Sequence, residues 1–338
     1  MTTAHDPLTA NAERRIAVVI PCFRVTQHIL DVIDGIGADV WRIYVVDDKC
    51  PDQSGNYVKA NGRDPRVVVL HHQANLGVGG AVITGFRQAI ADGCDIVVKV
   101  DGDGQMDPAF IPKLIRPILA GTADYAKGNR FWNVSDIQAM PLARVFGNAV
   151  LSFLTKFSSG YWTIFDPTNG FIAIHTAVLR ALPLDKISRR YFFESDLLFR
   201  LNTVRAVVAD VPMTAIYRNE ASNLKIARIF VPFLWGNFRN LLKRVFYNYF
   251  LRDFSVASIE LLLGIGFLFF GLTFGLTNWI EAATRGEAAT AGTVMLAALP
   301  IIIGLNLLLS FLHFDVQSIP RQPIHPSLID VVKSSRET

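Results

Sequence analysis

The chain has 338 residues, half of them apolar (51%), and a formal net charge of only +4. That length holds one large or two ordinary domains, and so small a charge gives no ground for a nucleic-acid partner. Three cysteines, Cys22, Cys50 and Cys94, form neither a Cys-x-x-Cys pair nor an even framework, which excludes a disulfide scaffold and reads as reduced, buried thiols.

Residues 1–14 are polar and contain no apolar signal core, so the domain that follows is expected to stay on the cytosolic side. Strand-like and helix-like patterns then alternate. Ile16–Ile20, Ile43–Val46, Val67–Leu70 and Ile96–Val100 are short runs rich in β-branched residues. Helical patterns fall between them, around Thr26–Gly35, Gly55–Asn61 and Gly79–Asp92. Continuous apolar strands separated by helices predict a parallel sheet covered on both faces. Ligands of such sheets bind beyond the carboxyl ends of the strands. Each predicted strand ends in polar or special residues: Pro21-Cys22, Asp47-Asp48, Asn75-Leu76-Gly77 and Asp101-Gly102-Asp103.

Past residue 225 the material changes. Between Ile226 and Phe250, aromatic and aliphatic residues alternate with Arg228, Arg239, Lys243 and Arg244, and acids are absent. This pattern predicts amphipathic helices lying in a membrane interface over residues 226–254; a pair of amphipathic core helices is the alternative. Ser255–Ile280 and Thr293–Phe314 are each long enough to cross a hydrocarbon core of about 30 Å, with Glu260 near one end of the first. The polar connector Glu281–Gly292 makes them a hairpin. Basic residues crowd the segment before the first span, and Arg321 and Lys333 follow the second, so both ends are expected to face the cytoplasm. Residues 315–338 then form a cytoplasmic tail. Asn306, inside the second span, offers a hydrogen bond to another helix and so a route to a homo-oligomer.

Several groups of residues carry candidate chemistry. Asp101 and Asp103 are one residue apart after an apolar strand, where two carboxylates can share a hard cation such as Mg²⁺ or Mn²⁺ completed by diphosphate oxygens. Gly102 lets the backbone come close. Taken alone, an Asp-x-Asp pair is also what a solvated acidic turn looks like. Asp47 or Asp48 is placed to accept hydrogen bonds from a base or ribose hydroxyl; a turn or helix cap is expected for the other. Asn75 and Gly77 open a helix whose N–H groups suit a phosphate or fix the turn. The glycines there do not match a dinucleotide fingerprint, because Val82 stands where its last glycine would fall. Arg130 and Arg144 are candidates to hold an acceptor phosphate, as are Arg218 and Lys225 just before the interfacial segment. Glu194 and Asp196 read equally as catalytic carboxylates and as groups that orient arginines.

In this order, Val19-Ile20-Pro21, Val45-Val46-Asp47-Asp48, Asn75-x-Gly77-x-Gly79-Gly80-Ala81, Asp101-Gly102-Asp103-Gly104-Gln105 and Gly128-Asn129-Arg130-Phe131 resemble the GT-A domain of glycosyltransferase family 2. The likeness is to polyprenyl-phosphate glycosyltransferases, including dolichol-phosphate mannose synthases, and covers about residues 15–225. It implies an α/β, Rossmann-like nucleotide-sugar domain, followed by interfacial helices and a transmembrane hairpin over 255–314. It also implies an inverting transfer from a UDP- or GDP-sugar to an undecaprenyl or dolichyl phosphate at the cytoplasmic face of the plasma membrane. By resemblance Pro21 and Asp48 contact the nucleotide, Asp101, Asp103 and Gln105 surround metal and diphosphate, and Arg130 and Arg144 receive the lipid phosphate. The chain departs from the family pattern at Pro21-Cys22-Phe23-Arg24-Val25, where Pro-x-Tyr-Asn-Glu is usual, at Lys49 after the paired aspartates, and at Gly102. A processive polysaccharide synthase would add a Gln-x-x-Arg-Trp motif and further spans. A tethered, non-catalytic sugar-nucleotide-binding protein is the rival of a different class.

Overall fold

The apolar runs fold into strands close to their predicted bounds in a computed structural model that describes residues 14–132, 142–213 and 226–330. In chain order the first elements are β1 (Ile16–Cys22), α1 (Ile29–Asp34), β2 (Val40–Asp47), α2 (Ser54–Asn61), β3 (Val67–His71), α3 (Val78–Ala91), β4 (Ile96–Lys99) and α4 (Ile111–Leu119). They are followed by β5 (Tyr125–Asn129), α5 (Leu142–Ser159), β6 (Ile172–His175), α6 (Thr176–Ala181), α7 (Phe193–Thr203), β7 (Val208–Pro212) and α8 (Ile226–Phe246). Contacts divide the chain into two compact units, residues 1–241 with 320–338, and residues 242–319.

The first unit is built on one seven-stranded sheet of order β3-β2-β1-β4-β6-β5-β7. Its first four strands are parallel, as the alternation of runs and helices predicts. β6 departs from that expectation: it runs antiparallel to both β4 and β5, while β7 is parallel to β5. The reason is topological. Ile172–His175 is as apolar as the parallel strands, and strand direction is set by the connection that delivers it, not by its composition. Ile20, Ile43, Val98, Leu114 and Phe171 belong to one buried cluster between sheet and helices, the covered-sheet architecture that such strands require.

Residues 320–330 pack on this unit and are not a free tail. Asp124, wholly buried, accepts the main-chain N–H groups of Val207 (2.7 Å), Ile324 (3.0 Å) and His325 (2.8 Å), and lies 2.8 Å from His325 Nδ1. Burial alone would raise the Asp124 carboxyl, but these bonds hold it below the usual range. The His325 ring stacks on His175 at 4.6 Å. His175 Nδ1 accepts the Ala177 N–H and caps α6. Burial, reinforced by His325, pulls the His175 pKa down to about 4 from 6.5.

The sign of the pH dependence follows. The unfolded chain takes up the His175 proton first, so this stability is present above 6.5 and is lost as pH falls toward about 4. The unfolding temperature of the detergent-solubilised chain is therefore expected to fall from about pH 7 to about pH 5, and His175→Asn, which keeps a capping oxygen, to reduce that fall. An identical fall in the variant contradicts the assignment.

The second unit contains the last turn of α8, a π-helical turn Tyr247–Arg252, and helices α9 (Val256–Arg285) and α10 (Ala291–Gln317). The last two are long and apolar enough to cross a membrane. α9 extends beyond the predicted Ile280 to Arg285, where Gly286, at φ +67°, closes it; the Glu281–Arg285 ion pair lies in that last turn. Their apolar side chains face outward, Phe269 at 70% and Trp279 at 71% exposure, unlike those of a core helix. Gly264, Gly271 and Gly304 let the two backbones meet: a methyl on Gly264 would press on Leu308, and one on Gly304 on the Gly264 carbonyl. Asn306 donates to the Ile302 carbonyl of its own helix at 2.9 Å. A buried bidentate pair, Arg244 with Asp315 at 2.5 and 2.9 Å, ties the α8 end to α10, and Tyr249 donates to the same carboxylate.

Candidate active site

Pro21, next to last in β1, lies beside Val46 of β2, and the loops after β2 and β3 are held by the paired aspartates. Asp47 accepts the N–H groups of Cys50 and Gly55, both at 2.7 Å, which explains the glycine at 55: a Cβ there would overlap the carboxylate. Asp48 accepts those of Leu76 and Gly77, both at 2.7 Å, and lies 2.8 Å from His72 Nδ1. Both side chains are almost wholly buried. The cap-or-turn role expected for one aspartate is thus the geometry of both, each carboxylate holding a loop through main-chain N–H groups. Asn75 and Gly77 serve the same loop. Asn75 donates to the Asp48 carbonyl, and Gly77, at φ +87°, passes so close to the Arg189 carbonyl that no Cβ fits. The N–H groups of Leu76 and Gly77 are given to Asp48, the turn-fixing one of the two roles open to them.

The Asp101–Gln105 loop leaves β4 at the centre of the sheet. Gly102 is packed beneath Ile20, Val25 and Ile29, so Asp101 and Asp103 rise, partly exposed, on either side of a buried glycine. Asp103 accepts the Gln105 N–H at 3.0 Å; Gln105 itself is exposed. Asp101 Oδ1 lies 2.9 Å from the Lys99 ammonium, which is also 3.2 Å from Glu194 Oε1 at the start of α7. Burial alone would lower the Lys99 pKa, but Asp101 and Glu194 outweigh it and hold the ammonium well above the ordinary lysine range. Lys99 was not among the residues singled out in the sequence. The signal was there: a lysine inside an otherwise apolar strand, Ile96-Val97-Val98-Lys99-Val100.

Among the described residues, no three His, Cys, Asp or Glu side chains are gathered to hold a metal. The oxygen donors Asp101 and Asp103 nonetheless fit a hard cation that keeps open positions for substrate oxygens, as Mg²⁺ does.

Glu194 and Asp196 part company. Asp196 is wholly buried; it accepts the Ser188 N–H at 2.8 Å, the Arg200 guanidinium at 3.2 Å and the Asn240 amide at 2.9 Å. These contacts are those of the arginine-orienting alternative, and they join α7, α8 and the preceding loop. Only Glu194 turns toward Asp101.

Arg130 follows β5 and grips the buried Asp166 through Nε at 2.8 Å and Nη2 at 3.1 Å. One edge of the guanidinium is thereby fixed, while a third of the side chain remains accessible. Beneath it Lys127, held below the ordinary lysine range by burial, lies 3.4 Å from Asp210. Two aromatic rings lie beside Arg130: its guanidinium is 5.7 Å from the Phe131 ring, which meets the exposed Phe165 edge-on at 5.9 Å. This pairing too escaped the sequence reading. Arg144 lies on α5, with its side chain outside the described residues, as are Arg218 and Lys225 altogether. The three cysteines are free and buried, and burial pushes the Cys22 thiol up to about 12, in keeping with inert thiols.

Residues 17–182 match the family model described as Glycosyl transferase family 2. Over 220 residues the chain is 30% identical to UDP-N-acetylglucosamine–dolichyl-phosphate N-acetylglucosaminyltransferase of Methanococcus voltae, covering 61% of this chain and 87% of that one. It is 33% identical over 208 residues to undecaprenyl-phosphate mannosyltransferase of Micrococcus luteus, covering 60% and 84%. Among solved structures, glucosyl-3-phosphoglycerate synthase from Mycobacterium tuberculosis, in complex with Mn²⁺, UDP and phosphoglyceric acid, superposes with a TM-score of 0.52 at 22% identity, over 70% of this chain and 81% of that one. That likeness establishes a shared fold.

Proposed function

Because the chain belongs to glycosyl transferase family 2, we propose that it transfers one sugar from a nucleotide-sugar to a polyprenyl phosphate, with inversion, at the cytoplasmic face of a membrane that α9 and α10 cross. The observation that carries this reading is the pairing of two features in the first unit. Two carboxylates in the loop after β4, Asp101 and Asp103, with Glu194 of α7 held to Asp101 through Lys99, are matched by an arginine, Arg130, that lies against Phe131 and, through it, the exposed Phe165. The first suits a cation that carries a donor diphosphate, the second a phosphate with an apolar tail. The names of relatives that act on dolichyl and undecaprenyl phosphate support the same acceptor class.

The chemistry needs no strong base. A phosphate monoester is largely dianionic at neutral pH, its second pKa being about 6. An acceptor phosphate oxygen attacks the anomeric carbon, the carbon–oxygen bond to the diphosphate breaks, and the nucleoside diphosphate leaves with the electron pair. Asp101 and Asp103 would hold a Mg²⁺ or Mn²⁺ ion, which when bound neutralises the departing diphosphate. Arg130, braced by Asp166, orients the acceptor phosphate by charge-assisted hydrogen bonds. The residues' task is to bring two anions in line.

The reading is tested by supplying the detergent-solubilised chain with UDP- and GDP-sugars and, in turn, undecaprenyl phosphate, a soluble phosphate monoester and no acceptor. Nucleotide release that requires the lipid phosphate is expected. Release that is equal with the soluble monoester points to a different acceptor.

A further inference from the structure

Lys99 stands at the end of the central strand, paired in register with Val19 of β1 and Ile172 of β6. Its side chain is 2% exposed. An ammonium in such a place costs several kcal/mol in desolvation unless it is well paired, and it is paired with two carboxylates brought from distant parts of the chain, Asp101 at 2.9 Å and Glu194 at 3.2 Å. The space around it is fitted to it. Gly170, which leads into β6, has no room for a methyl: a Cβ there would overlap the Lys99 ammonium and stand 3.0 Å from Asp101 Oδ2 and 3.4 Å from Glu194 Oε1. A lysine needed only for packing would have no use for this arrangement, since an aliphatic side chain fills a strand end without a desolvated charge.

We propose that Lys99 is a positioning residue, a built-in cation of the donor site. It holds Asp101 and Glu194 side by side before any divalent ion arrives and offsets one of their charges, and so sets how strongly the site takes up that ion. The inference rests on the reading of Asp101 and Asp103 as the carboxylates that hold the cation. Two consequences of opposite sign follow from Coulomb's law. Without the ammonium, Asp101 and Glu194 are left uncompensated beside Asp103, and a divalent ion is drawn in more strongly. Without the Glu194 charge, Lys99 is balanced by Asp101 alone, and the ion is held more weakly.

The test is Mn²⁺ binding to the full chain in detergent without donor, read as free Mn²⁺ by electron paramagnetic resonance, with thermal unfolding as the check on folding. In Lys99→Met the dissociation constant for Mn²⁺ is expected to fall by about tenfold, and in Glu194→Gln to rise severalfold, a tenfold change being about 1.4 kcal/mol. The double variant Lys99→Met/Glu194→Gln is expected to return close to the wild-type value, and Lys99→Met to lower kcat more than it changes KM for the donor. A merely structural lysine would change unfolding temperature and leave Mn²⁺ affinity alone. Wild-type affinity in both folded single variants overturns the inference while leaving the donor-site reading standing. If Lys99→Met does not fold, Glu194→Gln decides by itself. Absence of Mn²⁺ binding in wild type and variants alike overturns the donor-site reading and the inference with it.

Discussion

Asp103→Asn is expected to reduce sugar transfer by about 10³-fold, the scale of losing a main stabiliser of transition-state charge, with unfolding temperature and membrane insertion unchanged. The substitution keeps size and can still accept the Gln105 N–H that Asp103 now takes at 3.0 Å. It removes the negative charge that would hold the cation a departing diphosphate requires. Asp103 is partly exposed. Asp101→Asn would be less clean, because it also loosens Lys99, which that carboxylate meets at 2.9 Å. The check is kcat under saturating donor and lipid, at matched protein and with excess Mg²⁺ or Mn²⁺. Normal turnover would end the assignment of Asp103 to the cation.

The second large effect is one of stability. Asp196→Ala is expected to destabilise the first unit by about 3–5 kcal/mol, since it strands a buried arginine charge. Arg200, 9% exposed, would lose its carboxylate partner at 3.2 Å, and the Ser188 N–H and Asn240 amide would lose their acceptor. Denaturant unfolding of the detergent-solubilised chain measures this. Full stability with lost turnover would return Asp196 to the catalytic role that its sequence also allowed.

These two aspartates mark how far the sequence was legible. The parallel half of the sheet could be read because β-branched runs at regular spacing have few other uses, and the two long helices because length and hydropathy leave little choice. The loop Asp101–Gln105 could be placed because it follows such a run. The antiparallel β6 could not, since Ile172–His175 has the same composition as its parallel neighbours. Nor could the division of labour between Glu194 and Asp196. They lie on one helix two residues apart, and only the fold sends Asp196 toward Ser188 and Asn240 and Glu194 toward Lys99, 95 residues away in the chain. Asp47 and Asp48 posed the same difficulty: each ends up holding a loop through main-chain N–H groups, which no motif spells out. The aromatic pair beside Arg130 joins Phe131 to Phe165 of the loop before β6, and it has no local period to betray it.

The most direct measurement is the mass of the lipid recovered after the full chain is incubated with a nucleotide-sugar, undecaprenyl phosphate and a divalent cation. The account predicts a product heavier than the lipid phosphate by a single sugar residue, formed with release of nucleoside diphosphate and absent with Asp103→Asn. Nucleotide-sugar consumed while the lipid mass stays unchanged, or gains a lengthening chain of sugars, would contradict it.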